Sequence, residues 1–360
     1  REIEEYRSGF KAAAAGAATR RTPAVAADIL GALAEDDVPT DPVQEQALFE
    51  DLVKDIKAPQ ASAAVKAAFE GQGPLVFLAT PTPIEGGDKA LLDALDEAGK
   101  VEATPPAAPA SSVWPYATFG PGGGSKVAEQ REITDLDAVF VRFENGVRLT
   151  VKPTKFRDDQ ILVSVRVGAG LTTIPASPQS PSWAGSALLE GGLAKISSED
   201  MERVLASKTY GAGFSVDEDA LAFSGRTTRA DLDVQMQVLA AYVTEPGWRQ
   251  QAFDRIVNYG GTLHDQYEAT DSGVLRRDLA GLLRNGDRRW TFPSRQEIAQ
   301  AKLDDLKAAI APGLATGPIE VVIVGDTTVE KAIDATAATF GALPPRPLAT
   351  GPVTGAGVTF

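Results

Sequence analysis

Ala138-Val139-Phe140-Val141-Arg142-Phe143 and Val147-Arg148-Leu149-Thr150-Val151 stand on either side of Glu144-Asn145-Gly146. Asn-Gly between two strand-like runs is the strongest short hairpin signal a sequence carries, because both residues tolerate the positive φ of a tight turn. Working outward, residues 161–167 place Ile161, Val163, Val165 and Val167 on one face, as a half-buried strand does. Residues 213–216 and 220–225 form a second antiparallel pair, and Gly317-Pro318 opens a strand over 319–324. Between these runs the spacing predicts helices from about Pro181, over 198–207, 230–243, 249–268, 272–284 and 295–310, and a closing helix over 329–340. Alternating strands beside long amphipathic helices predict an α+β unit. It has a mostly antiparallel sheet with helices packed on one face, and the 138–151 hairpin shares that sheet with 319–324.

Upstream, residues 1–58 read as helical and Ala-rich, with Thr22-Pro23 as N-cap and first helical position. Helices are expected over 43–56, 61–69 and 88–98. Gly73-Pro74 leads into Leu75-Val76-Phe77-Leu78, a buried-strand candidate. Residues 101–132 hold Pro105-Pro106, Pro109 and Gly120-Pro121-Gly122-Gly123-Gly124, the composition of an interdomain linker. Residues 120–126 superficially resemble a phosphate-binding loop. Ser125 stands where the second required Gly belongs and no strand precedes it, so the linker reading holds. Pro344-Pro345-Arg346-Pro347 begins a further linker.

A weak internal repeat links the two parts. Lys66-Ala67-Ala68-Phe69, a turn, Gly73-Pro74, an apolar run and a helix recur as Lys307-Ala308-Ala309-Ile310, a turn, Gly317-Pro318, residues 319–324 and the helix from Val329. The expectation is two related domains, the first short of its N-terminal half. The sheet holding 75–78 would then have an open edge that invites another chain. The chain opens on Arg1 and ends on Phe360 in a run like the start of a strand, so both ends read as positions inside a longer polypeptide.

At 360 residues, two or three domains are expected. With 43% hydrophobic and 23% charged residues the chain can build globular cores. Its net charge of −14 repels phosphate backbones and anionic lipid, which excludes nucleic acid and membrane surfaces as partners. The absence of cysteine excludes disulfides, thiolate zinc, iron–sulfur clusters and thiol catalysis. It fits the cytoplasm or a bacterial periplasm, and the periplasm is the favoured expectation. No apolar run reaches the roughly 18–20 residues that span a bilayer.

In order and spacing, several of these runs resemble the insulinase (pitrilysin, M16) family of zinc metallopeptidases. Phe143-Glu144-Asn145-Gly146-Val147-Arg148-Leu149 is similar to the family's first hairpin, and residues 161–170 to the strand before its signature helix. Ala187-Leu188-Leu189-Glu190-Gly191-Gly192-Leu193 lies where that helix carries the zinc motif. Residues 231–246 with Phe253 resemble the long helix pair, and 320–326 the closing strand. The resemblance implies one complete insulinase-type unit over 133–345, preceded by the C-terminal part of another over 1–100. Residues 101–132 form the linker between them, and 346–360 start the next one. In the family, two halves of two such units each close around a peptide-holding chamber. One unit carries His-x-x-Glu-His plus a distant Glu, in which both His bind zinc and the motif Glu activates the metal-bound water.

Here the motif is degenerate: Ala187 and Gly191 replace both His, and only Glu190 matches. Glu268 is the candidate for the distant Glu. The single histidine, His264, cannot supply two imidazoles. No catalytic, cofactor-binding or metal-binding residue is therefore expected in this chain. Zinc belongs in a motif-bearing unit elsewhere, if the parent protein is active. Two functional readings follow. One is a non-catalytic section of an M16-type peptidase that walls the peptide chamber and shares in holding peptide. The other is an assembly module that pairs with a separate active subunit. Expected partners are the rest of its own polypeptide or a homologous active subunit, and peptides. An enzyme of unrelated chemistry on the same scaffold is a third option, since fold does not dictate function.

The remaining candidates read as structural. His264 and Glu268 share a helix face at four-residue spacing, but two ligands rarely suffice for a metal. Glu190 reads as a solvated or capped carboxylate. Arg276, Arg277, Arg284, Arg288 and Arg289 cluster at a helix end, where the dipole favours cations. Arg288-Arg289-Trp290 could instead touch a peptide or partner domain. Tyr210, Tyr242, Tyr259 and Tyr267 read as core or rim, and Ser186 has no His partner for a triad.

Overall fold

The strand patterns read above close into one sheet in the computed structural model, which describes residues 2–71, 75–102, 104, 113–120, 124–168, 170–177 and 181–346. In chain order the helices are α1 (Glu2–Ala15), α2 (Thr22–Ala34), α3 (Pro42–Val53), α4 (Ala58–Ala68) and α5 (Gly87–Gly99). The strands β1 (Val127–Ile133), β2 (Ala138–Phe143), β3 (Arg148–Pro153) and β4 (Ile161–Val167) follow, then helices α6 (Ala187–Glu190) and α7 (Ser198–Val204). Strands β5 (Gly213–Val216) and β6 (Leu221–Thr227) lead to α8 (Leu232–Thr244), α9 (Gln250–Glu268), α10 (Asp271–Leu282), α11 (Arg295–Gln300) and α12 (Leu303–Thr316). Strand β7 (Ile319–Gly325) and helix α13 (Val329–Ala338) complete the fold.

The sheet order is β1-β2-β3-β7-β4-β6-β5. Every neighbouring pair is antiparallel except β3 with β7, which run parallel from Arg148 opposite Glu320 to Pro153 opposite Gly325. The hairpin and the 319–325 strand thus lie in one sheet, as expected. Period-two alternation decides the faces: Val141, Phe143, Leu149, Val151, Ile161, Val163, Val165, Val321 and Ile323 are buried. Arg148 and Glu320 pair on the other face, where Leu162 is half exposed. Helices α8 and α12 pack over β6, α13 over β2 and β3, and α6 on β5. Nine residues of α8 are buried, including Met236, Leu239 and Tyr242; a helix apolar on most sides belongs at the centre of a core.

Three expectations are corrected. Residues 127–132 of the expected linker belong to strand β1, which pairs with β2 from Glu129 opposite Arg142 to Ile133 opposite Ala138. Before it, Tyr116 and Phe119 are buried in the core, and Trp114 donates its indole N–H to Gln237 at 2.9 Å. The Pro/Gly composition of that stretch concealed three anchoring aromatics. Glu129, Arg131 and Glu132 concealed the strand, because an edge strand carries charge that discourages pairing with other chains. Secondly, the chain divides into Arg1–Phe49 with Ser111–Phe360 and, separately, Glu50–Ala110, so residues 1–100 are not one body. Thirdly, Leu75-Val76-Phe77-Leu78 forms no strand, and all four side chains are exposed. A strand needs a ladder partner for its backbone groups, and no strand lies in that unit among the described residues. Gly73-Pro74, Pro105-Pro106, Pro109, Pro121-Gly122-Gly123, Ala169 and residues 347–360 lie outside the described residues.

Candidate functional site

The helix at the expected motif position is one turn long. Gly192 ends it at φ +62, and a Cβ there would meet Ser198 N at 2.5 Å, so only glycine fits. Several carbonyls at the end of so short a helix find partners. Leu189 O accepts from Gly192 N at 2.9 Å and from the Tyr242 hydroxyl at 3.2 Å. Glu190 O accepts from Ser198 Oγ at 3.3 Å, Gly191 O from the Arg249 guanidinium, and Gly192 O from Gly247 N at 2.9 Å. These bonds answer the unpaired C-terminal groups of a helix.

Ala187 and Gly191, the positions at which the resemblance would put imidazoles, carry no donor atom. Ala187 is buried. A Cβ on Gly191 would lie 3.1 Å from Ala187 O, 3.3 Å from Arg249 N and 3.5 Å from Trp248 N. Glu190 points to Arg255 of α9, with Oε2 3.4 Å from Nε, and both side chains are largely exposed. The centre is thus a surface ion pair flanked by a second guanidinium that is spent on a carbonyl. It offers a carboxylate, and neither Ala187 nor Gly191 adds a donor atom with which it could hold a metal. The residues present do not fit the zinc that the resemblance implies for an active unit. Arg249 and Arg255 escaped sequence reading; Arg249 is the N-cap of α9 and Arg255 lies in its second turn.

Glu268 does not join Glu190. It lies thirteen residues beyond Arg255 on the same helix, about 20 Å along the axis at 1.5 Å per residue. It gathers instead with His264 and Asp265, whose donor atoms and its own lie within 4.8 Å of one another. Glu268 Oε1 is 3.8 Å from His264 Nε2 and accepts from Arg277 at 3.1 Å. Asp265 pairs with Arg295. Both carboxylates are already neutralised, so a cation would have to displace two guanidiniums.

The arginines are not idle helix-end charges. Arg277 donates to both Asp278 oxygens and to Glu268, Arg288 pairs with Glu297, and Arg289 grips both Asp287 oxygens. Arg284 and Arg289 lie over the Trp290 ring at 5.0 and 4.9 Å. Ser186 is exposed. Tyr242 is core, and burial holds its hydroxyl well above the usual tyrosine range.

Hydrogen bonds from the Arg289 side chain hold the Asp287 carboxyl below its usual range, outweighing burial, which acts the other way. A depressed carboxylate contributes stability that is complete above its unfolded value of 3.8 and is lost as pH falls through the folded value. Asp287→Asn is accordingly expected to lower Tm at neutral pH and to flatten the fall of Tm below pH 3.8. Thermal unfolding across that acid range checks this; parallel curves for parent and variant would refute it.

No family model matches the chain. It is 24% identical over 218 residues to the chloroplastic stromal processing peptidase of Arabidopsis thaliana, covering 59% of this chain and 17% of that protein. In structure it is similar to the periplasmic protease PqqL of Escherichia coli, with TM-score 0.57 and 15% identity over 97% of this chain and 39% of that one. The ferredoxin protease FusC, solved with Arabidopsis ferredoxin, gives TM-score 0.53 at 15% identity, over 97% of this chain and 41% of its own. A peptidase M16 inactive domain from Pseudomonas fluorescens gives 0.51 at 16% identity, over 60% and 53%. The chain spans less than half the length of the stromal peptidase, PqqL and FusC. By its strand order, its one-sided helical layer and these likenesses, the chain carries the α+β fold of the M16 peptidases, the family its sequence resembles.

Proposed function

We propose that this chain is a non-catalytic section of an M16-type peptidase, a wall of the peptide chamber that shares in holding substrate. The observation that carries the reading is the filled motif helix: Ala187 is buried in the core, Gly191 lies against the backbone of Trp248 and Arg249, and Arg255 holds Glu190. In this reading the unit built on β1 to β7 and closed by α13 is the complete degenerate unit, and the helices upstream of it derive from the end of a preceding one. The catalytic zinc sits in a motif-bearing unit on the same polypeptide or on a homologous subunit. Further support comes from exposed apolar side chains that a partner surface would cover. Leu75, Val76, Phe77 and Leu78 are such a group in one unit, and Leu275, Leu279, Leu282 and Leu283 another along α10. The likeness to a periplasmic protease favours a periplasmic setting.

The purified chain is expected to cleave no quenched fluorescent peptide and to carry substoichiometric zinc. Stoichiometric zinc together with chelator-sensitive cleavage would overturn the proposal. Binding of a labelled peptide without cleavage separates a chamber wall from a pure assembly module, for which only a motif-bearing subunit would bind.

A further inference from the structure

A cavity of about 310 Å³ opens beside α10, away from the degenerate motif. Its apolar side is Trp183, Tyr267 and Phe292. Trp183 rests on Gly260 of α9, where a Cβ would approach the indole to 2.7 Å. Phe292 lies 6.2 Å from Trp183 and meets Tyr267 edge-on at 5.3 Å. These rings are fixed by packing, so a ligand would find the surface already formed.

The polar side is cationic. Arg276, Arg277, Arg288 and Arg289 line it, with Glu297 as the one acidic lining residue. Two of these guanidiniums are committed: Arg277 to Asp278 and Glu268, and Arg289 to Asp287 and the carbonyls of Leu171 and Thr172. The other two have capacity left. Arg276 makes no hydrogen bond or ion pair among the described residues. Arg288 gives a single nitrogen to Glu297, leaving the rest of its fork. In a chain of net charge −14, this concave cationic wall draws anions to itself.

We propose that the cavity binds a peptide carboxylate, with Arg276 and Arg288 as its donors and the aromatic wall against the neighbouring side chain. A planar guanidinium fork matches a carboxylate in geometry and charge. Glu297 on the rim repels a second negative charge, which favours a monoanion over a phosphate. The proposal rests on the peptide-holding reading and names its ligand chemistry. The carboxylate can be a chain terminus or an acidic side chain.

Three dansylated peptides separate the sources: Gly-Ala-Phe as free acid, Gly-Ala-Phe amide, and Gly-Glu-Phe amide. By fluorescence anisotropy, the free acid or the Glu-containing amide is expected to bind about tenfold more tightly than the neutral amide, the gain of a charge-assisted hydrogen bond. Whichever arm binds identifies the source. Arg276→Gln with Arg288→Gln is expected to abolish that preference while the α9–α10 fold, followed by Tm, persists. Arg276→Lys is expected to retain part of it. Carboxylate-independent peptide binding that the double variant leaves unchanged overturns the pocket but not the peptide-holding reading. Absence of binding by all three peptides overturns the pocket and removes support from both.

Discussion

Ala187→His combined with Gly191→His is expected to yield a protein that binds no zinc at α6 and is roughly 3–6 kcal/mol less stable than its parent. The figure takes about 1–3 kcal/mol for an overpacked site at Gly191 and a similar cost for each buried imidazole whose ring nitrogens lack a partner, discounted because the two neighbouring sites relax together. Position 187 is buried, and position 191 faces the backbone of Trp248 and Arg249 at contact distance. A histidine at 187 would have to enter the apolar core, and one at 191 would have to push aside main chain pinned by Arg249 to Gly191 and by Gly247 to Gly192. Even with space made, the third ligand is missing, because Glu268 lies far along α9 in a cluster of its own. A catalytic zinc needs three protein ligands and an open position. Metal analysis and thermal unfolding with and without zinc decide the matter. Stoichiometric zinc and a zinc-dependent rise in Tm in the double variant would show that the helix retains a usable metal geometry.

That Ala187, Gly191 and a single histidine supply no pair of imidazoles was legible in the chain itself. What took their place was not. Arg249 and Arg255 belong to a distant part of the sequence, and nothing local marks a guanidinium that will cap Gly191 or face Glu190. The same division holds for the fold. Alternation fixed β2, β3, β4 and β7, whose one buried face leaves no freedom of register. The hairpin stands where Glu144-Asn145-Gly146 placed it. Only Gly146 has positive φ, and Gly146 N bonds to Phe143 O at 2.9 Å, which makes a three-residue loop with a glycine bulge rather than a two-residue turn. Residues 295–310 read as one helix, yet Ala301 is extended and the chain breaks into α11 and α12. Ala301 and Lys302 are good helix formers, so only tertiary packing makes the break. The motif helix expected from Pro181 shrinks to one turn because Gly191-Gly192 must let the chain double back toward Pro246.

Arg346→Ala is expected to cost about 2–4 kcal/mol, the range for losing a charged donor and leaving buried carbonyls unpaired. Its composition placed Arg346 in a linker; in the fold it is 3% exposed. One guanidinium nitrogen donates to Leu314 O at 2.7 Å and Gly317 O at 3.2 Å, at the negative end of the α12 dipole. Its backbone N–H donates to Asn145 O at 2.6 Å. The Asn145 side chain in turn donates to Phe340 O at 2.9 Å and Leu343 O at 3.1 Å. Two residues thereby tie the first hairpin, the end of α12 and the turn after α13 into one knot. Burial pushes the Arg346 guanidinium below its ordinary value, so the charge is tolerated there for its hydrogen bonds. Arg346→Lys supplies charge without the fork and is expected to recover only part of the loss. Urea unfolding of Arg346→Ala, Asn145→Ala and the double variant measures both terms, and the two losses are expected to be non-additive because the two residues are bonded to each other, Arg346 N–H to Asn145 O. If Arg346→Ala unfolds within about 0.5 kcal/mol of the parent, as an ordinary surface change does, then residue 346 is linker after all and the knot contributes nothing.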